Sequence, residues 1–368
     1  MPKADTGAHG ILWPSRILMA GGHQHISGGL EIFIARARDC LGIEAHCYTD
    51  TPGAGMQSIR DYLTGLWCFA RLLPAYDMVW LHYGSAFDLA YLLVAKLFGK
   101  KVAVTPHLGR GWRTMRIGAF RAVCNRLLMT ADTVFTLYKA QAAELAFPDP
   151  LARNCVVMPT FLPKSLLGAE APRRSYTGPL RLIHIARLSA QKGSFAFLSV
   201  CEELRQRGVP FEATIVGPTD AAVRQALQAQ IACNTLPVVL TGPLSQEAVM
   251  ALLHRHDVLV NLSLQDAYPL TVLEALLCGV APVCCALPGT AEMAAATNAI
   301  CLVDGQNGLA AAEQVLAVNG GSVYEGARLM RHKFDWTGLR ARYGAAFAGL
   351  TGQAVASHTV DVTGAILR

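Results

Sequence analysis

The chain of 368 residues reads as two doubly wound α/β domains facing each other across a cleft. Three observations predict it. The length exceeds one ordinary core and suits two. Short apolar runs alternate with helical patterns from end to end. An irregular stretch from Pro159 through Pro163, Gly168, Pro172, Gly178 and Pro179 divides that alternation in half. Strands separated by helices build parallel sheets, because a parallel neighbour is reached only by a crossover.

In order, Arg16 to Ala20 is a buried strand, Gly21 to Gly29 a glycine-rich loop, and about Leu30 to Cys40 a helix. Strands are expected at Glu44 to Tyr48, Asp77 to His82, Lys101 to Thr105, Thr133 to Leu137 and Cys155 to Met158. Tyr62 to Pro74 and Ala86 to Gly99 are apolar but short, and Arg71, Asp88 and Lys96 interrupt them, so they read as buried or amphipathic helices. Residues 1–163 form the first domain and residues 164–335 the second. The second repeats the rhythm with strands at Arg181 to Ala186, Glu212 to Val216, Pro237 to Leu240, Val258 to Asn261, Ala281 to Cys285 and Ile300 to Val303. A helix at about 336–350 is amphipathic and is expected to cross back onto the first domain, with the residues beyond about Gly352 loosely held.

Composition excludes several classes. With 52% apolar and 16% charged residues the chain is rich for a soluble protein, yet it has no charge-free apolar run of eighteen residues, so no membrane span is expected. No secretory leader is visible, and a cytoplasmic location follows, with peripheral contact at the inner membrane face. Eleven scattered cysteines without a C-x-x-C pair read as reduced core residues, including the adjacent Cys284 and Cys285. His23 and His25 share a loop that lacks cysteine or acidic partners, so no metal is expected. Gly21 to Gly29 does not spell G-x-G-x-x-G, which disfavours a dinucleotide oxidoreductase.

The net charge of +6 is partly local: Arg110, Arg113, Arg116, Arg121 and Arg126 have no acid among them and interleave with Trp112, Ile117, Phe120 and Val123. That segment suits either anionic lipid headgroups or plain solvation. No nucleic-acid motif accompanies it.

Chemistry concentrates in loops that follow strands, where doubly wound sheets place ligands. Arg187-Leu-Ser-Ala-Gln-Lys192-Gly193 sets a guanidinium and an ammonium where both can meet phosphate oxygens, though such a loop also serves as an ordinary connection. Asp266-Ala-Tyr-Pro-Leu-Thr-Val-Leu-Glu274 sets two acids eight residues apart, with Pro269 in the first turn of a helix whose unpaired N–H groups favour an anion. Asp266 and Glu274 also fit a loop acid and an exposed helix acid that merely stabilise the dipole.

These residues resemble the retaining glycosyltransferases of family 4, which have the GT-B fold. The resemblance runs over nearly the whole chain: Gly21-Gly22 after the first strand, Asp77-Met-Val-Trp-Leu-His82, Thr105-Pro-His107, Ala131-Asp-Thr-Val, Ala186-Arg187-Leu with Lys192-Gly193, Val216-Gly217-Pro218, and Tyr268-Pro-Leu-Thr-Val-Leu-Glu-Ala-Leu-Leu-Cys-Gly279. It implies transfer of a hexose-type sugar from a UDP- or GDP-sugar to a saccharide or lipid-linked acceptor, in bacterial cell-surface polysaccharide assembly and without a cofactor or metal.

By that resemblance Arg187 and Lys192 bind the donor diphosphate, Glu274 the ribose, and Asp266 with the backbone of Tyr268, Pro269 and Leu270 the sugar and phosphate. His107 stands near the reacting centre. Gly21, Gly22 and Gly217 allow close approach, and Glu292 flanks the donor. Two positions depart from the family pattern, which has Glu at Asp266 and Gly at Ala267, so the carboxylate is one methylene shorter and the loop stiffer. A sugar-nucleotide epimerase and a non-catalytic nucleotide-sugar binder of the same fold are the alternative readings.

Overall fold

The computed structural model describes residues 16–24, 28–50, 59–109, 117–176 and 178–352. Twelve strands form two parallel six-stranded sheets. The first contains β1 (Ile17–Ala20), β2 (His46–Cys47), β3 (Met78–Tyr83), β4 (Lys101–Pro106), β5 (Thr133–Thr136) and β6 (Cys155–Val157), in the order β2-β1-β3-β4-β5-β6. The second contains β7 (Leu180–Ile185), β8 (Phe211–Val216), β9 (Val238–Gly242), β10 (Val258–Asn261), β11 (Ala281–Cys285) and β12 (Cys301–Val303), in the order β12-β11-β10-β7-β8-β9. The chain therefore has the GT-B architecture of two Rossmann-like sheets.

Each sheet reverses its winding direction once, between β1 and β3 in the first and between β7 and β10 in the second. Loops on either side of such a reversal diverge and leave a crevice at the carboxyl ends of the strands. The central strands are buried throughout, as all six residues of β3 show, because helices cover both faces.

The helices of the first half are α1 (Gly29–Leu41), α2 (Ile59–Leu72), α3 (Asp88–Leu97), α4 (Gly118–Leu128), α5 (Gln141–Glu144), α6 (Asp149–Arg153) and α7 (Lys164–Gly168). Those of the second half are α8 (Ser194–Gln206), α9 (Ala221–Cys233), α10 (Gln246–Leu253), α11 (Leu270–Leu277), α12 (Pro288–Thr297), α13 (Gly308–Leu316), α14 (Gly320–Lys333) and α15 (Trp336–Thr351). One face of the first sheet buries Tyr62, Phe69, Leu92 and Cys124 of α2, α3 and α4. On the other, Phe33 of α1 shares a core with Trp336, Tyr343 and Phe347 of α15.

Some details differ from the sequence reading. The second strand shrinks to two residues, because only Met19 and Ala20 pair with it. The third strand runs from Met78 to Tyr83, one residue beyond the expected end at His82. Pro269 is the extended N-cap residue, and α11 starts at Leu270. Cys68 and Cys233 are exposed, so not every cysteine is a core residue. Of the arginine segment, α4 covers the part from Gly118, while Arg110, Arg113, Arg116 and Trp112 lie outside the described residues, as does His25. No helix among the described residues is long and apolar enough to cross a membrane.

Candidate functional site at the winding reversal of the second sheet

Arg187 to Lys192 follows β7, and Leu262 to Pro269 follows β10, so the reversal brings these two loops side by side. Lys192 Nζ forms an ion pair with Asp266, both side chains half-buried. The loops are further tied by Leu264 N–H donating to Gln191 O at 2.9 Å, and by Gln306 Nε2, which donates to Ala190 O at 2.7 Å and Leu262 O at 2.9 Å. Arg187 is exposed and reaches toward the first domain, where a Cβ on Gly28 would lie 3.7 Å from its Nη2.

Beneath them lies a brace that the sequence reading missed. His184 is fully buried on β7; its Nδ1 meets Val260 O at 2.9 Å and its Nε2 meets Ser194 Oγ at 3.2 Å. Burial pushes its pKa down to about 4, so the ring is neutral at pH 7. It therefore donates through Nδ1 and accepts the Ser194 hydroxyl through Nε2, while Ser194 Oγ accepts Ser189 N–H at 3.1 Å. The loop carrying Arg187 and Lys192 is thereby fixed to β10 and to the start of α8. Gly217 contributes from below: at φ +142 it passes so close to Ala186 that a Cβ would sit 1.7 Å from that carbonyl oxygen.

The segment after Asp266 is pressed against the first domain. Ala267 is buried with the first domain's core, and its backbone faces Gly109, where an added Cβ would lie 3.5 Å from the Ala267 Cα. Tyr268 stacks on Tyr138 with ring centroids 6.0 Å apart. The N-terminus of α11 has no side-chain cap, so its first amides remain open to an anion.

Glu274 does not join Lys192 and Arg187. All residues of α11 from Val272 to Leu277 are buried, so the helix has no solvent face over that span, and the Glu274 carboxylate forms an ion pair with Arg36 of α1. Arg36 Nη1 also approaches Phe161 O at 3.5 Å, which leaves the pair buried in the seam between the domains. Glu292 is likewise engaged across the seam, accepting the Lys139 N–H at 2.8 Å. Arg36 carried no signal in the sequence, because an arginine inside a helix usually faces water.

On the first-domain side His107 is half-buried at the end of β4, with Nε2 3.1 Å from His82 Nδ1 and its ring against Phe33. Burial lowers its pKa to about 3 and that of His82 well below the ordinary value. Two neutral imidazoles then share one proton position, which couples their tautomers.

Gly21, at φ +146, lies against His82, where a Cβ would approach that side chain to 2.6 Å, and its carbonyl accepts from His46 Nε2 at 2.9 Å. Gly22 O accepts the Thr49 and Asp50 N–H groups. Both glycines thus serve packing here. Beside Gly22 opens a pocket of about 300 Å³ lined by His23, Glu31, Arg38, Tyr48 and, from the second domain, Gln246.

Residues 179–319 match the family model described as glycosyl transferases group 1. The match spans most of the second domain. Glycogen synthase of Mycobacterium tuberculosis is 30% identical over 175 residues, which are 45% of this chain and 42% of the relative, so the chain spans less than half the length of the curated relatives it matches. Solved structures extend the fold likeness to both domains of the chain. The Anabaena protein HepE, solved with UDP and glucose, aligns with a TM-score of 0.74 at 13% identity over 91% of this chain and 100% of that one. Sucrose-phosphate synthase from Thermosynechococcus elongatus gives 0.72 at 15% identity over 92% and 99%. At such identities the likeness shows the GT-B fold.

Proposed function

We propose that the chain is a retaining glycosyltransferase that moves a hexose-type sugar from a UDP- or GDP-sugar to a saccharide or lipid-linked acceptor in bacterial cell-surface polysaccharide assembly. One observation carries the reading: at the winding reversal, Arg187, Lys192 and the uncapped start of α11 occupy two loops fixed by a buried histidine brace. Relatives point the same way, since HepE was solved with UDP-glucose.

Breaking the bond from the anomeric carbon to the diphosphate leaves negative charge on the phosphate oxygens, and fixed cations beside that oxygen lower the barrier. Lys192 exchanges Asp266 for the diphosphate, which frees the carboxylate for sugar hydroxyls. Arg187 meets the other phosphate, and the Tyr268 and Leu270 amides complete the anion site. The acceptor oxygen bonds to the anomeric carbon on the face the diphosphate leaves, and its proton passes to a departing phosphate oxygen.

No protein nucleophile and no metal take part in this scheme. His107, being neutral, contributes hydrogen bonds to the sugar rather than charge. Glu274, buried against Arg36 in the seam, reaches the ribose only once that pair releases it, and Glu292 holds the loop at Lys139 beside the donor. A lipid-linked acceptor is met at an anionic membrane surface, with Arg110, Arg113, Arg116, Arg121 and Arg126 as its contact.

A thermal-shift panel of UDP-, GDP- and ADP-sugars followed by product analysis tests this. A UDP- or GDP-sugar at a hundred times its Kd is expected to stabilise the protein by about 2.7 kcal/mol. Acceptor is expected to trigger nucleotide release, retained anomeric configuration and a rate indifferent to EDTA. Absence of any nucleotide-sugar stabilisation overturns the reading. An inverted product overturns retention, and release of epimerised donor without acceptor assigns the chain to the epimerases.

A further inference from the structure

The outer surface of the first domain is unusual in both polarity and charge. α2 packs against α3 and α3 against α4, and all three bury their inner sides on the same face of the first sheet. Their outer sides are apolar. Ile59, Leu63 and Trp67 recur at four-residue spacing on α2, Leu97 projects from α3, and Val123 from α4, with Ile117 just before it. Leu97 at 85% and Ile59 at 73% are the most exposed large apolar side chains among the described residues. Such a patch on a water-soluble surface signals a partner.

Charge narrows the choice of partner. Residues 59–132 contain ten arginines and lysines against Asp61, Asp77, Asp88 and Asp132, an excess of six that equals the whole chain's, with Lys96 and Lys101 paired to Asp132. Asp88 is buried and Asp77 pairs with Arg16. Arg60 and Arg126 are exposed at the patch, and the Arg71 guanidinium lies 4.5 Å above the Trp67 ring, the side-by-side placement that suits a headgroup and an acyl boundary.

A second copy docked through this face would set two cationic surfaces against each other. The first fifteen residues, with Lys3 and Asp5, and the last sixteen, with Asp361 and Arg368, carry no net charge to match it. We propose that the outer face of α2, α3 and α4 docks on an anionic lipid bilayer, inserting Leu63, Trp67 and Leu97 while the surrounding arginines meet the headgroups. This rests on the membrane-surface reading proposed above and carries it onto the described Arg60, Arg71 and Arg126; testing it requires no turnover, so its failure leaves the donor-site reading standing.

The test is flotation of the full chain with phosphatidylcholine vesicles, with and without about one-third phosphatidylglycerol, at low and high salt. The protein is expected to float with the anionic vesicles and not with the neutral ones, with binding weakened by salt. A Leu63→Gln, Trp67→Gln, Leu97→Gln variant is expected to lose binding by on the order of tenfold or more. Its urea midpoint serves as the folding control, because all three side chains are exposed. Trp67→Phe, which keeps the bulk, is expected to float while losing the blue shift in emission. Flotation that ignores phosphatidylglycerol, or equal flotation of the triple variant, overturns the proposal. A dimer seen by light scattering and abolished by the same variant assigns the face to a second copy instead.

Discussion

Across the cleft, the second domain presents Arg187 and Lys192 on a loop locked by His184, whereas the first presents His107 locked by His82. Both walls use a buried histidine as the brace, but one brace positions charge and the other positions a neutral ring. Charge after a strand is visible in a sequence as residue type alone, although an ordinary connection can carry it too. A neutral imidazole acquires its role only from burial and from a partner twenty-five residues away. The seam adds a third element, Arg36 with Glu274, in which each domain supplies one charge and neither is accessible.

The largest effect is expected at that seam. Arg36→Ala leaves the Glu274 carboxylate buried and unpaired, and urea unfolding should show a loss of about 3 kcal/mol or more. Replacing both by methionine should restore most of it. A loss below about 1 kcal/mol for the single change would mean that Glu274 already has water, and the contrast between a sealed seam and an open cleft would fail.

Next comes Lys192→Ala, which should lower turnover about a hundredfold, or about 2.7 kcal/mol, while stability changes little because its pair with Asp266 is half-exposed. Unchanged turnover would remove the second wall's claim to the chemistry.

A third effect, spread over several groups rather than carried by one, concerns the braces. His82, His107 and His184 have folded pKa values below the unfolded one, so the unfolded state binds more protons and stability falls as pH drops below about 6.5. Asp88, raised to about 6 by burial, works against one of them, because its neutral form is favoured in the fold. The melting temperature should therefore fall between pH 7 and pH 5, with each histidine contributing about 1.4 kcal/mol per pH unit. A flat profile would mean that these rings are protonated in the fold.

The order of strands and helices was legible because parallel strands buried on both sides read as unbroken apolar runs, and Val258–Asn261 and Ala281–Cys285 were placed to the residue. Arg187, Lys192 and Asp266 were legible as a polar cluster after strands. What escaped were residues whose partners lie far along the chain: Arg36 is 238 positions from Glu274, and Lys139 is 153 from Glu292. Local pattern holds no record of such distances. The outward faces of α2 and α3 escaped for a different reason, since an apolar helix looks the same in sequence whether its second side meets protein or not.

The last helix draws a mechanical consequence from an ordinary contact. The chain passes between domains twice, at Pro159 to Pro163 and again near Phe334, and the two passages are stitched together by Trp336 Nε1 donating to Leu162 O at 3.0 Å and Tyr343 Oη donating to Pro159 O at 2.9 Å. Two tethers bound at one place define a single hinge line. Arg36 lies against that same line through Phe161, so the buried pair with Glu274 is set beside the paired passages, and the two walls are held in register from the spine outward.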